Sequence, residues 1–465
     1  MRKTLLLALI ALFLLVSCHP QTEVSTDYDT PETWAELFDI FWSKMSSNYI
    51  FWNLDYDEGK GWDDAYDQYH PLFEQLGDID EEDSSEAFRY FFELTKPLSD
   101  GHYVLDINVE SSYFRSYPSY YRRMSGMGFS DDDIFNLFYS YDGSSYTLIG
   151  DELYGSFYDL MAENQSYILT NVLRKSGYSG TQHGPSPNDP LTLVSLSYED
   201  EADAPFSKLE YIYIFDDPVN DDFLATLGVS EDNIVYLGLY DFYFYYYGTE
   251  YYKSHPRPAT TRLDTFLEDY RSALDGASGV IIDLRGNPGG YLHDLQELWS
   301  AFTDGHDVHF ADSRRKDGDN RLDYGVWLSM EIEDDGYSFD SSTPIAILVN
   351  SFSASCSECT LLFFKALSDD YGYGVRVIGE TTAGASGALA DYPYSELYYN
   401  AGCTEIEPYI TTMYTPFTQI RYKDGTIYEG IGITPDEVVE FDYDAFISGT
   451  DGKLERALEW IREEL

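Results

Sequence analysis

The chain has 465 residues, 43% of them hydrophobic, enough to bury a large core and to divide into two or three domains. Asp and Glu number 83 against 28 Lys and Arg, a formal net charge of -55. Nucleic acid is excluded as a partner, because phosphate binding needs clusters of basic side chains that this sequence lacks.

Arg2 and Lys3 precede an apolar stretch, TLLLALIALFLLVSC, that is too short to span a bilayer comfortably and ends in a small residue before Cys18. It reads as a secretory signal over residues 1–17. Its ending, Leu15-Val16-Ser17-Cys18, resembles the bacterial lipobox. That resemblance implies that Cys18 is acylated, becomes the first mature residue and holds the protein in the cell envelope, at the outer membrane, through a lipid anchor only. Residues 18–31, polar and containing Pro20 and Pro31, follow as a tether.

Between 32 and 109, WAELFDIFWSKMSSNYIFWN and WDDAYDQYHPLFEQL space aromatic and aliphatic residues three and four apart, which predicts two or more amphipathic helices. SSEAFRYFFELTKPL predicts a third, capped at Ser85 and stopped near Pro97. This small helical domain ends in LSDGHYVLDINV, where an Asp-Gly turn carrying His102 leads into an alternating strand.

Residues 110–232 are rich in Tyr, Ser, Asp and Gly, with SGYSGTQHGPSPNDP as the clearest loop and LTLVSLSY and LEYIYIF as short strands. A mostly-β segment with no catalytic pattern is expected. From 233 to 465 strand and helix alternate: NIVYLGLYDF, TTRLDTFLEDYRSAL, GVIIDL, YLHDLQELWSAF, TPIAILVN, TLLFFKAL, YGVRVIGE and the closing DGKLERALEWIREEL. Such alternation implies a parallel or mixed sheet with helices packed on it.

Two further stretches invite a ligand. YDFYFYYYGTEYY, from Tyr240 to Tyr252, is the densest run of the 44 tyrosines; amphipathic rings serve sugar or peptide grooves, but the alternation favours a two-faced strand. KDGDNRLDYG, starting at Lys316, offers oxygen ligands for calcium but lacks the closing Glu of an EF-hand loop, and reads as a solvated loop.

Two junctions carry the chemistry. In VIIDLRGNPGGYLHDL a buried strand runs through Gly286-Asn287-Pro288-Gly289-Gly290 into a helix, and backbone N–H groups at such a turn can hold an anion or oxyanion. No Walker loop is present, and glycine dihedrals in an ordinary turn explain the same residues. In VNSFSASCSECTLLFFKAL a strand runs through Ser353-Ala354-Ser355-Cys356-Ser357-Glu358 into a helix. A serine there gains from the positive helix end, whereas Ser355 and Glu358 also fit a capping box. Cys356 and Cys359 form a lone CxxC with neither a second CxxC nor a nearby His, so two small side chains packed at a helix start is the preferred reading. With Cys18 acylated, Cys403 completes an odd set of three, which leaves no fully paired disulfide framework.

Together, Asp-Leu-Arg-Gly-Asn-Pro-Gly-Gly, Ser-Ala-Ser-x-Ser-Glu, Gly-Glu-x-Thr-x-Gly and Gly-Ile-x-Pro-Asp, in this order from about Asn233 to Glu440, resemble the C-terminal-processing and tricorn-core family of serine peptidases. The resemblance implies a crotonase-like α/β sandwich as the catalytic core, preceded by the helical domain and the mostly-β middle segment. It places the nucleophile on Ser355 and the oxyanion donors on the Cys356 N–H and the glycine turn, with Gly289 preferred over Gly290. It departs from the family at Ala385, which occupies the position of the lysine base in the processing branch. The tricorn-like branch uses His with Glu support, which falls on His102 of SDGHYV and Glu429 of YEGIGITPD. A histidine at its ordinary value puts the acid limb of activity near about pH 6 to 7.

The expectation is a lipid-anchored serine endopeptidase acting on peptide or protein substrates without metal or organic cofactor. Its rival is a lipoprotein that keeps the fold without the activity and binds peptides or glycans.

Overall fold

A computed structural model describes residues 30–126, 128–140, 179–183, 189–197, 206–214, 222–388, 403–416 and 418–465. Cys18, the leader and the tether as far as residue 29 lie outside the described residues. The chain forms two compact units, the first from residues up to 140 with 315–326 and 403–418, the second from the remainder.

The first unit contains the three expected helices, Trp34–Asn48, Gly61–Leu76 and Ser84–Thr95. Thr33 opens the first with a capping box to Glu36. The third starts one residue before the expected cap: Ser84 is its first residue, its hydroxyl donating to the Glu81 carbonyl at 2.9 Å, and Ser85 lies inside the helix. Aromatic rings fill the space between the helices, with Phe38 stacked on Phe73 at 4.6 Å and Phe41 edge-on to Phe91 at 5.1 Å. The unit is not wholly helical. Strand Val104–Val109 pairs with Ser112–Ser116 on one side and with Ile410–Tyr414 on the other, both antiparallel, so residues far along the chain complete its sheet.

The loop from Lys316 is closed by its own cation. The Lys316 ammonium donates to the Asn320 and Arg321 carbonyls, and burial lowers its pKa to about 8.

The second unit is built on a nine-stranded sheet among the described residues. Ile234–Leu239, Gly279–Asp283, Ile345–Val349, Val375–Gly379 and Glu437–Val438 run parallel, and Asp222–Val229, Lys208–Ile214, Leu191–Ser197 and Ser179–His183 continue from Ile234–Leu239 as an antiparallel meander. The sheet therefore runs uninterrupted across the expected boundary at residue 232. Strands Gly279–Asp283 and Ile345–Val349 are buried throughout, as continuous apolar runs in a parallel sheet must be.

The two-residue period divides these strands between two cores. Val280, Ile282, Ile345, Ile347 and Val349 face helices Arg262–Leu274 and Cys356–Tyr371, and Ile281, Ala346 and Leu348 face the closing helix Gly452–Glu464. Each fully buried side chain of this size contributes roughly 1.5–3 kcal/mol.

The tyrosine-rich segment departs from the strand reading. Phe242 makes an isolated parallel bridge to Gly290, after which Tyr246–Glu250 is a π-helical turn and Tyr251–Lys253 a 3₁₀ turn. The rings are packed on one another and on later residues, Tyr245 against Tyr291 and His293 and Tyr251 against His255.

Candidate active site

Strands Gly279–Asp283 and Ile345–Val349 are parallel neighbours, so the turns that leave them lie side by side. Arg285, fully buried, fixes the first exit. Its guanidinium meets Asp283 at 2.6 Å and Asp451 at 2.8 Å, and Asp451 in turn caps the closing helix through the Leu454 N–H. The arginine of the Asp-Leu-Arg block thus ties the strand end to a helix start. Its charge holds the Asp451 carboxyl below the usual range despite burial.

The two turns are stitched together by hydrogen bonds. The Asn350 side chain accepts from the Gly286 N–H at 2.9 Å, the Asn287 carbonyl accepts from the Ala354 N–H at 3.0 Å and from the Ser357 hydroxyl at 3.1 Å, and the Ser353 hydroxyl donates to the Leu284 carbonyl at 2.8 Å. At Gly289, φ is +107°, and a Cβ there would lie 2.5 Å from the Ser355 Cβ and 2.9 Å from the Cys356 nitrogen. Only glycine permits that approach.

Ser355 precedes helix Cys356–Tyr371 with φ 55° and ψ -115°, a region side chains rarely adopt. The capping box expected of Ser355 and Glu358 does not form. The Ser355 hydroxyl makes no cap bond, and the buried Glu358 carboxylate, besides the pull of the Ser355 N–H, accepts from the Thr382 hydroxyl at 2.5 Å, the Gly384 N–H at 2.9 Å and the Ala385 N–H at 2.7 Å. Burial raises the Glu358 pKa, and these donors oppose the rise.

Among the described residues the hydroxyls of Ser353, Ser357 and Ser386 are engaged, whereas that of Ser355, half-buried, is uncommitted. The Cys356 N–H begins the helix and has no acceptor among the described residues. The Gly289 N–H is taken by the Asn287 side chain at 2.8 Å, while that of the exposed Gly290 has no acceptor among the described residues. Cys356 and Cys359 are buried free thiols whose pKa values burial raises, consistent with packing rather than redox chemistry.

Ala385 lies against the serine junction, its carbonyl accepting the Ser355 N–H at 2.9 Å. The next residues hold Glu429: one of its oxygens accepts from the Ser386 hydroxyl at 3.0 Å and from the Gly387 N–H at 2.7 Å. The Gly430 N–H donates to the Gly384 carbonyl at 2.9 Å, and a Cβ on Gly384 would meet the Gly432 nitrogen at 2.7 Å. The Gly-Glu-x-Thr-x-Gly and Gly-Ile-x-Pro-Asp blocks are therefore one packed unit, and it carries Glu429 buried beside the Ala385 loop.

In the first unit, Asp100 accepts the backbone N–H groups of His102 and Tyr103 at 2.8 and 3.1 Å, an Asx turn that fixes the histidine. The preceding Ser99 is anchored by the buried Asp55, which also accepts from the Tyr49 hydroxyl. Sequence reading singled out neither Asp55 nor Tyr49, since the link from Asp55 to Ser99 spans 44 residues. The His102 Nδ1 is enclosed without a hydrogen-bond partner, and burial lowers the imidazole pKa to about 4. The ordinary histidine value expected from sequence does not apply.

A strained serine thus stands on a strand-to-helix turn beside N–H groups that have no acceptor among the described residues. Residues 233–439 match the model of Peptidase family S41. The Carboxy-terminal-processing protease of Bartonella bacilliformis is 29% identical over 180 residues, 38% of this chain and 35% of that protein. This chain thus matches only that 35% of the length of its curated relative. The solved structure of a candidate peptidase from Parabacteroides merdae covers 93% of this chain and 97% of its own at 16% identity, with a TM-score of 0.55, a likeness of fold.

Proposed function

We propose that the protein is an exported serine endopeptidase, anchored through an acylated Cys18, in which Ser355 is the nucleophile, His102 its base and Glu429 the support of that base. The observation that carries this reading is Ser355 itself, its hydroxyl uncommitted among the described residues, at positive φ beside the Cys356 N–H, which has no acceptor among them. The Ser355 oxygen adds to the peptide carbonyl as its proton passes to the neutral His102 imidazole. The Cys356 and Gly290 N–H groups hold the resulting oxyanion, the role expected of Gly289 passing to Gly290 because the Gly289 N–H is engaged. Protonated His102 gives its proton to the leaving amine, which leaves an acyl-Ser355. Water then adds with His102 again as base and releases the acid. Glu429, held on one oxygen by Ser386 and Gly387, supplies the negative charge that offsets the imidazolium.

A serine-directed phosphonate tests the reading. It should label the protein once, at Ser355, and Ser355→Ala should abolish labelling while leaving the fold intact. Labelling of Ser353, Ser357 or Ser386 would refute the assignment. Peptide binding without labelling would favour a non-catalytic lipoprotein, and intact-mass analysis of membrane-extracted protein should find a lipid on Cys18.

A further inference from the structure

The glycine turn continues directly into a cluster of tyrosine rings. The Phe242 N–H donates to the Gly289 carbonyl at 2.8 Å, and the Tyr291 N–H donates back to the Phe242 carbonyl at 2.7 Å. This bridge fastens the segment after Phe242 next to the turn that abuts Ser355. The buried Asp294 carboxylate fastens it again, accepting from the Phe244 and Tyr245 N–H groups at 2.8 and 2.6 Å. Tyr246 is stacked on Tyr291 at 6.4 Å and Tyr245 on His293 at 4.3 Å, and all four rings are half-buried. Neither Tyr245, Tyr246 nor Tyr291 belongs to the buried core or to the partly buried side chains packed on it.

Resting on the peptidase reading, we propose that Tyr245, Tyr246 and Tyr291 form a shelf that takes an aromatic side chain of the peptide substrate beside the scissile bond. Half-open rings held rigid from the backbone offer π faces at low entropic cost, the condition under which aromatic pairs form. A basic side chain is less suited. Two carboxylates beside the rings are already engaged, Asp294 by two backbone N–H groups and Glu250 by Lys253 at 2.8 Å.

Binding separates this proposal from turnover. Fluorescently labelled hexapeptides with Phe, Ala, Lys or Glu at one varied position are titrated against the Ser355→Ala protein and followed by anisotropy. The Phe peptide should bind roughly tenfold more tightly than the Ala peptide, the scale of one aromatic contact. Tyr246→Ser and Tyr291→Ser should erase that preference, and Tyr291→Phe should retain it. No binding, a preference for Lys, or a Phe preference that survives both serine variants overturns the shelf. Hydrolysis of the same peptides by the unsubstituted protein is scored apart: a Phe preference in binding without Ser355-dependent cleavage keeps the shelf and removes the peptidase reading.

Discussion

Gly289→Ala is the sharpest test of the junction. At φ +107° an alanine carries backbone strain of about 1–3 kcal/mol. Its Cβ would also stand 2.5 Å from the Ser355 Cβ, 2.9 Å from the Cys356 nitrogen and 3.0 Å from the Ala354 carbonyl oxygen. None of these atoms is the free end of a flexible side chain, so the turns themselves must part, at an overpacking cost of about 1–3 kcal/mol. The sum, about 2–6 kcal/mol, lies within the stability of an ordinary domain. The protein should fold with a lowered Tm, while displacement of Ser355 from its donors cuts phosphonate labelling by about 100-fold. Gly372→Ala is the control. It has a similar positive φ of +77° at the far end of the Ser355 helix with nothing within 4 Å, so it should lose stability without losing labelling. Unchanged labelling in Gly289→Ala, or equal loss in both, would refute the argument.

Local pattern revealed the elements of the second unit because a buried parallel strand and an amphipathic helix each declare themselves within a dozen residues. The same holds for the Ser355 junction, where strand, small residues and helix follow in one stretch. What pattern missed depends on pairings across the chain. The strands within 403–414 join the sheet of the first unit, and the meander from 179 to 229 joins that of the second, because edges bond to whatever the fold delivers. Glu358 looked like a cap from its spacing to Ser355, yet the Thr382–Ala385 loop offered three donors and took the carboxylate. The tyrosine run read as a strand because residues 240–244 do alternate, whereas Tyr245 and Tyr246 find ring partners, Tyr291 and His293, far along the chain.

Arg285→Ala leaves Asp283 and Asp451 buried without their cation and should cost about 3–5 kcal/mol in denaturant unfolding; a loss under about 1 kcal/mol would contradict the clamp. Because Asp451 is held below its unfolded value, its contribution is present at neutral pH and fades as pH falls through the folded value, so the unsubstituted protein should lose more stability on acidification than the variant. Glu358→Gln keeps the shape but gives up one acceptor among three donors, and should cost about 1–3 kcal/mol and speed hydrogen exchange at Gly384 and Ala385 above exchange elsewhere in the sheet. The remaining prediction concerns His102. Burial lowers its pKa to about 4, so a base at this position stays neutral well below the ordinary histidine value. Between that ordinary value and about 4 the unfolded chain binds a proton that the folded one refuses, so folding stability falls with pH in this window although the imidazole remains competent as a base. The acid limb of kcat/KM on a peptide ester should accordingly fall below pH 6, at pH values where near-UV circular dichroism still reports the folded protein. His102→Ala should remove the activity rather than shift the limb. A limb centred at the ordinary value, about 6.5, would mean that the imidazole of the working enzyme is solvated rather than enclosed, and the burial argument would fail.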